Sequence, residues 1–317
     1  MKYSSEQEFI IKQCLENRNT IVDAVAGSGK TTTLLGISKA SPLKKILGVL
    51  FNKSLKEETR AKALQSGLSQ LEIHNYHALA KKYYDDSICN DSGITKLVRE
   101  DKKPYKPLPK WERIIIDEVQ DMNPLYFQLI SKVLIDVRNP DIRITVMGDR
   151  FQSIYAFLYA DSRFLTNAGS IYQSVKGDWI KASLSTTYRC SSSICSFLND
   201  CLLGYTRMHP AIDDVSPPVN YIYGCPFEAR KPLLTAILGH LSNGFKPEDI
   251  FILAPSVKMK MKETPVKMLE NALVSYNIPI YIPNDENGAA ADAGGGDPTK
   301  GKLVITTFHQ SKGLERK

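Results

Sequence analysis

Thr20-Ile21-Val22-Asp23-Ala24-Val25-Ala26-Gly27-Ser28-Gly29-Lys30-Thr31-Thr32-Thr33 is the stretch that decides the architecture of this chain. The apolar run at 20–25 reads as a buried strand, and the residues after Gly29 read as the opening turn of a helix. Between the two, glycines let backbone amides converge on phosphate oxygens, and the helix N-terminus adds a favourable potential. In that setting Lys30 is placed to reach β and γ phosphates and the Thr31 hydroxyl to ligate magnesium. Ala24 stands where the first glycine of the usual pattern would be. Strand, glycine loop, Gly-Lys-Thr and helix in this order set it well apart from a chance Gly-Ser-Gly turn.

Outward from the loop, residues 7–17 carry Phe9, Ile10, Cys14 and Leu15 at helical spacing, and 54–65 reads as another helix. Residues 45–51, 114–116 and 142–147 are short apolar runs, the mark of strands buried on both faces. Alternating helices and such strands predict an α/β fold with parallel sheets. Residues 84–111 form a polar, proline-bearing stretch with Lys96, Arg99, Lys102, Lys103, Lys106 and Lys110, read as a small basic insertion. After Leu184, a helix at 192–203 and strand-like runs at 219–223, 250–254, 278–282 and 302–307 predict a second α/β unit. Residues 285–301, rich in Gly and Ala, read as a loop. The expected division is therefore 1–184 and 185–317.

The chain has 317 residues, 43% hydrophobic and 24% charged, which excludes disordered, collagen-like and disulfide-scaffold classes. Lys and Arg number 41 against 34 Asp and Glu, and the net charge of +7 leans towards a polyanionic partner. The six cysteines lack the paired spacing of zinc sites and read as reduced thiols. The N-terminus has no apolar signal core, and no apolar run reaches the ~18 residues of a membrane helix, so an intracellular, soluble protein is expected.

Ile114-Ile115-Ile116-Asp117-Glu118 sets two carboxylates at the carboxyl end of a buried strand, where α/β proteins bind ligands. Val119-Gln120-Asp121 follows, and Gly148-Asp149-Arg150-Phe151-Gln152-Ser153-Ile154-Tyr155 comes after the next strand. With these motifs the chain resembles superfamily 1 helicases of the UvrD/Rep group. Further matches are Glu6-Gln7, Phe51-Asn52-Lys53, Asn75-Tyr76-His77-Ala78-Leu79, Thr187-Tyr188-Arg189 and Thr307-Phe308-His309-Gln310-Ser311-Lys312-Gly313-Leu314-Glu315. The wording of Phe51-Asn52-Lys53-Ser54 and Gly29-Lys30-Thr31-Thr32-Thr33 is most similar to F-box DNA helicase relatives.

That resemblance implies two RecA-like P-loop domains and ATP-dependent movement on single-stranded DNA or DNA junctions, 3′ to 5′, with ATP and Mg2+. It implies catalysis by Lys30, Asp117, Glu118, Gln152 and Arg189, with Mg2+ on Thr31 and Asp117. Nucleotide contacts would come from Gln7 on the adenine edge, Ala26, Gly27, Ser28, Gly29, Lys30, Thr31, Thr32, Tyr188 stacking on adenine, Gly313 and Glu315. Gln120 would join Gln152 in sensing the γ-phosphate. DNA contacts would come from Asn52, Lys53, His77, Tyr155, Phe157, Thr307 and His309, with Phe157 stacking on bases and Phe51 open between stacking and packing. The lysines at 96–110 and Lys258, Lys260, Lys262 and Lys267 read mainly as solvated faces. The large inserted subdomains of the group are missing. Its final Thr-Arg-Ala motif would lie beyond Lys317, so the second domain is expected to be incomplete at its C-terminus. Two other readings stay open: a nucleotide- and strand-binding module with little hydrolysis, and an RNA-directed motor.

Overall fold

The computed structural model describes residues 2–51, 53–212, 216–257, 263–283 and 298–312. Asn52, Lys258, Lys260, Lys262, Gly313, Glu315 and most of the 285–301 stretch lie outside them. The chain divides into two compact units, residues 1–219 and 220–317.

Side-chain caps fix where the helices of the first unit begin. Helix α1 (Ser5–Leu15) starts from a capping box in which Ser4 accepts from the Gln7 amide and Gln7 reaches back to Ser4. Strand β1 (Asn19–Ala24) leads through the phosphate loop into α2 (Lys30–Ala40), and β2 (Ile46–Val49) leads to α3 (Lys53–Gln65). Then come β3 (Leu71–His74), α4 (Tyr76–Tyr83) capped by Asn75, and α5 (Asp91–Arg99) capped by Asn90. Strand β4 (Arg113–Ile116), α6 (Pro124–Val137) capped by Asn123, and β5 (Arg143–Gly148) follow. Short helices α7 (Arg163–Thr166) and α8 (Ala168–Ile171) precede β6 (Trp179–Leu184).

All six strands are parallel, in the order β3-β2-β4-β5-β1-β6. Alternate side chains feed two cores. Leu47, Val49, Ile114, Ile116, Ile144 and Val146 pack on α4, α5 and α6, while Ile46, Ile115 and Met147 join α1 and α2 on the other face. This two-sided burial is why β2 and β4 are apolar at nearly every position. The expected α/β class with parallel sheets is the one observed, with the phosphate loop joining β1 to α2.

The first unit ends with a two-stranded parallel pair, β7 (Thr186–Thr187) and β8 (His209–Pro210), enclosing α9 (Ser192–Ser196) and a π-helical continuation, Phe197–Leu203. The second unit holds α10 (Arg230–Ser242), β9 (Phe251–Ala254), α11 (Pro265–Ser275), β10 (Ile280–Tyr281) and β11 (Leu303–Thr307). Its sheet, β10-β11-β9, is parallel and packs Leu303 and Ile305 against Ile237, Leu269 and Leu273.

Three expectations need correction. Residues 219–223 form no strand: Tyr221 and Tyr223 are exposed, and among the described residues no strand pairs with them. Strands β3 and β6 were not expected. Polar Glu72 and His74 interrupt the first, and Lys181 and Ser183 the second, because both lie on sheet edges. The 84–111 stretch is more than a basic insertion, since α5 buries Ile94 and Leu97 and Trp111 is 1% exposed. Lys102 pairs with Asp85, and Lys103 and Lys132 pair with Asp101. All six cysteines are free, and among the described residues no helix is long and apolar enough to cross a membrane.

A buried arginine locks the edge of the sheet opposite the phosphate loop. The Arg113 guanidinium donates to the carbonyls of Arg18 (3.1 Å) and Cys14 (2.9 Å) and to Thr145 Oγ1 (2.9 Å), satisfying groups where α1 ends. Arg113→Met keeps the apolar stem and removes three donors. It is expected to lose about 2–3 kcal/mol of stability, read from the urea midpoint; an unchanged midpoint would contradict this role.

Candidate nucleotide and strand site

Because the strands are parallel, the loops after β1, β2, β3, β4, β5 and β6 all leave the sheet at one edge. The phosphate loop turns there through left-handed Gly27 (φ 69°) and Gly29 (φ 85°), the latter capping α2. Ser28 is buried, and its hydroxyl donates to the Val25 carbonyl at 2.8 Å. Ala26, Thr31 and Thr32 are half-buried around the loop.

Lys30 Nζ lies 3.2 Å from Glu118 Oε1. Burial is the largest single influence on this ammonium and pulls its pKa down. Glu118, Asp117 and Asp149 together outweigh it, so the net shift is upward. Asp117 is 1% exposed, and burial first, then the Glu118 charge, push its carboxyl up against the pull of Lys30. Its Oδ1 accepts from the Glu118 amide at 2.8 Å. Glu118 occupies a left-handed backbone conformation (φ 52°), an uncommon one for a residue with a Cβ. Its other oxygen accepts from Gln120 Nε2 at 2.6 Å, and Gln120 Oε1 accepts from the Asp149 amide at 3.1 Å. Gln152 Nε2 donates to Asp149 Oδ2 at 2.8 Å. Lys30, Asp117, Glu118, Gln120 and Gln152 are thus brought together.

A buried aspartate raised by desolvation and a like charge, with a threonine hydroxyl at the helix start, is a hard oxygen donor set of the kind magnesium takes. Among the described residues no cluster of three or more His, Cys, Asp or Glu could hold a metal by itself. Magnesium bound mainly through phosphates and water fits that.

The Thr187-Tyr188-Arg189 segment packs directly on the phosphate loop. The Tyr188 amide donates to the Gly27 carbonyl at 2.9 Å, and a Cβ on Gly27 would overlap that of Arg189 and approach Thr187 Oγ1 to 3.0 Å. Tyr188 is 59% exposed, open to a planar ligand. Arg189 lies in the same compact unit as the loop. The segment is anchored by Glu6, whose carboxylate accepts from the Ser185 amide (3.0 Å), the Ser185 hydroxyl (2.6 Å) and the Thr186 amide (3.3 Å). Gln7, only 3% exposed, is engaged in the α1 cap and reaches the Ser28 carbonyl at 3.5 Å.

Beside the carboxylates runs a ladder of rings. Phe157 is 62% exposed and neighbours Tyr155 (6.2 Å), which stacks on Phe51 (5.6 Å, 22°). Phe51 meets Tyr126 edge-on, and Tyr126 stacks on Tyr76 at 4.2 Å and meets His77 edge-on. His77 and Tyr126 share Asp91 Oδ1, at 2.8 and 2.9 Å. Lys53 is exposed at the start of α3. In the second unit, Thr307 ends β11 and bonds Gln310, while His309 lies in the following turn. Sequence reasoning missed the anchoring by Glu6 and the place of Tyr126 in the ladder; only the helical start after Asn123 hinted at the second.

Comparison with known proteins gives partial matches. Residues 7–158 match the family model described as an AAA domain, a span reaching from Gln7 to just past Phe157. The chain is 28% identical over 141 residues to "Putative ATP-dependent DNA helicase YjcD" of Bacillus subtilis (strain 168), covering 44% of this chain and 18% of that protein. It thus spans less than a fifth of that relative's length. A crystal structure of Pif1 helicase from Candida albicans aligns over 58% of this chain and 40% of its own, with 16% identity and a TM-score of 0.38.

Gly27→Ala tests the contact between the loop and the 187–189 segment. Both the positive φ and the overlap with Arg189 oppose the added methyl, so a thermal midpoint several degrees lower is expected, about 1–3 kcal/mol in stability. A midpoint equal to that of the unmodified chain would mean that the segment does not rest on the loop.

Proposed function

We propose that this chain is the motor part of an ATP-dependent DNA helicase or single-strand translocase of the UvrD/Rep kind. The observation that carries the reading is one sheet edge holding both a phosphate loop facing two carboxylates and a ladder of rings that ends at exposed Phe157. The name borne by the Bacillus relative, an ATP-dependent DNA helicase, supports the same reading.

In this mechanism the loop amides and Lys30 hold the β and γ phosphates, and Tyr188 stacks on the adenine. Thr31 and Asp117 hold Mg2+, which screens phosphate charge when bound. Lys30 now rests on Glu118. Phosphate oxygens compete for that ammonium, and Glu118 Oε1 is released to accept a proton from the attacking water. Arg189 stabilises charge that develops on the transferred phosphoryl group. Gln152 and Gln120 register the γ-phosphate through Asp149. Because Gln152 lies three residues from Tyr155, loss of that phosphate shifts the floor on which bases stack. Stacking suits a motor that must accept any sequence. The 3′ to 5′ direction, action at DNA junctions and an intracellular setting belong to the same proposal.

Lys30→Ala is expected to abolish ATP hydrolysis stimulated by single-stranded DNA while leaving the chain folded at the assay temperature, checked by thermal melting. Unchanged turnover would sink the assignment. Phe157→Ala is expected to weaken binding of a fluorescent oligothymidylate by about 1–3 kcal/mol, roughly 5- to 150-fold, with nucleotide affinity in the absence of DNA held. Equal oligonucleotide affinity would remove Phe157 from the strand path.

A further inference from the structure

Arg207 belongs to none of the motifs above. It comes from the segment between the π-helical turn Phe197–Leu203 and β8, yet it lies against the catalytic edge of the sheet. Its side chain is 9% exposed, and one nitrogen, Nη2, bridges Asp23 Oδ1 at 2.8 Å and Asp149 Oδ1 at 2.9 Å. The guanidinium carbon lies 4.8 Å from the centre of the Phe151 ring. Arg150 lies nearby, 3.8 Å from Asp23 Oδ2 and donating to Tyr205 Oη at 3.1 Å.

The backbone beneath Arg207 is clamped. Buried Asn199 accepts from the Arg207 amide (2.9 Å) and the Met208 amide (3.0 Å) and donates to the Met208 carbonyl (2.9 Å). Such a fixed base gives the guanidinium little freedom to leave. A surface pair of this kind would contribute little, but a nearly buried cation shared by two carboxylates is held by what it orients.

What it orients is Asp149. The second oxygen of that carboxylate receives Gln152 Nε2, its amide is held by Gln120, and Gln120 holds Glu118. Gly148 permits the approach, since any side chain there would overlap Gln120 Oε1. A continuous polar chain therefore runs from Arg207 through Asp149 to Gln152 on one branch and to Glu118 and Lys30 on the other.

We propose that Arg207 is a positioning residue for nucleotide hydrolysis, fixing the Asp149 carboxylate so that Gln152 and Glu118 are aimed at the terminal phosphate. The inference rests on the hydrolytic reading above. It also gives the segment carrying Tyr188 and Arg189 a second hold on the site, through Asn199 and Arg207.

The test is steady-state ATP hydrolysis by the full chain with saturating single-stranded DNA, for the parent, Arg207→Ala and Arg207→Lys, with fluorescent-nucleotide affinity and thermal melting measured alongside. Arg207→Ala is expected to lower kcat about tenfold or more with KM and nucleotide affinity within about threefold. Arg207→Lys can still set one nitrogen between the two carboxylates and is expected to recover a substantial part of kcat. If Arg207→Ala melts below the assay temperature, the nearly isosteric Asp149→Asn carries the same expectation. A kcat unchanged in Arg207→Ala, or a loss that Arg207→Lys does not relieve, overturns the inference alone. A parent chain that does not hydrolyse ATP overturns both this inference and the reading beneath it.

Discussion

Parallel pairing of six strands is the constraint on which the rest of the first unit depends. In such a sheet every strand ends at the same edge, so residues far apart in sequence emerge together. The phosphate loop after β1, the carboxylates after β4, the Asp149 turn after β5 and the Thr187-Tyr188-Arg189 segment after β6 meet for this reason. The cost is that both faces must be covered. The alternation of Ile114, Ile115 and Ile116 between two cores shows how closely this chain meets that demand.

At that edge the balance of charge sets the arrangement. A single ammonium, Lys30, faces Asp117, Glu118 and Asp149 in a poorly solvated place, and its attraction to them outweighs the penalty of burial. Asp117 remains the strained member, pushed up by burial and by its neighbour. Burial and the mutual repulsion of Asp117 and Glu118 are what Lys30 offsets there. Left-handed Glu118 adds a local distortion that directs its carboxylate to Lys30 and Gln120 at once. Arg207 answers the same imbalance one strand away, for Asp23 and Asp149.

Much of this was legible in the amino-acid order because the chemistry demands certain residue types in short, fixed runs. Gly27-Ser28-Gly29-Lys30-Thr31 and Ile116-Asp117-Glu118 are such runs, and each sits where strand and helix patterns predicted. Edge strands β3 and β6 were harder, since the polar residues they carry, buried His74 among them, blur the apolar signal. Residues 219–223 erred the other way: β-forming side chains without a partner strand do not make a sheet. The contacts hidden from sequence were those closed by topology. Arg207 and Asp23 are 184 positions apart, and Glu6 and Ser185 are 179 apart. No local pattern encodes such pairs. Tyr126 was hidden differently, because an aromatic at the start of an apolar helix looks like ordinary core.

Nucleotide and strand share one rigid edge in this account, so each must alter the affinity for the other. The most direct measurement is the affinity of the chain for a fluorescent oligothymidylate without nucleotide, with ADP and with a non-hydrolysable ATP analogue. The account predicts affinities that differ by about fivefold or more between nucleotide states, with the reciprocal change in nucleotide affinity when DNA is present. Oligonucleotide affinity identical in all three states would contradict it.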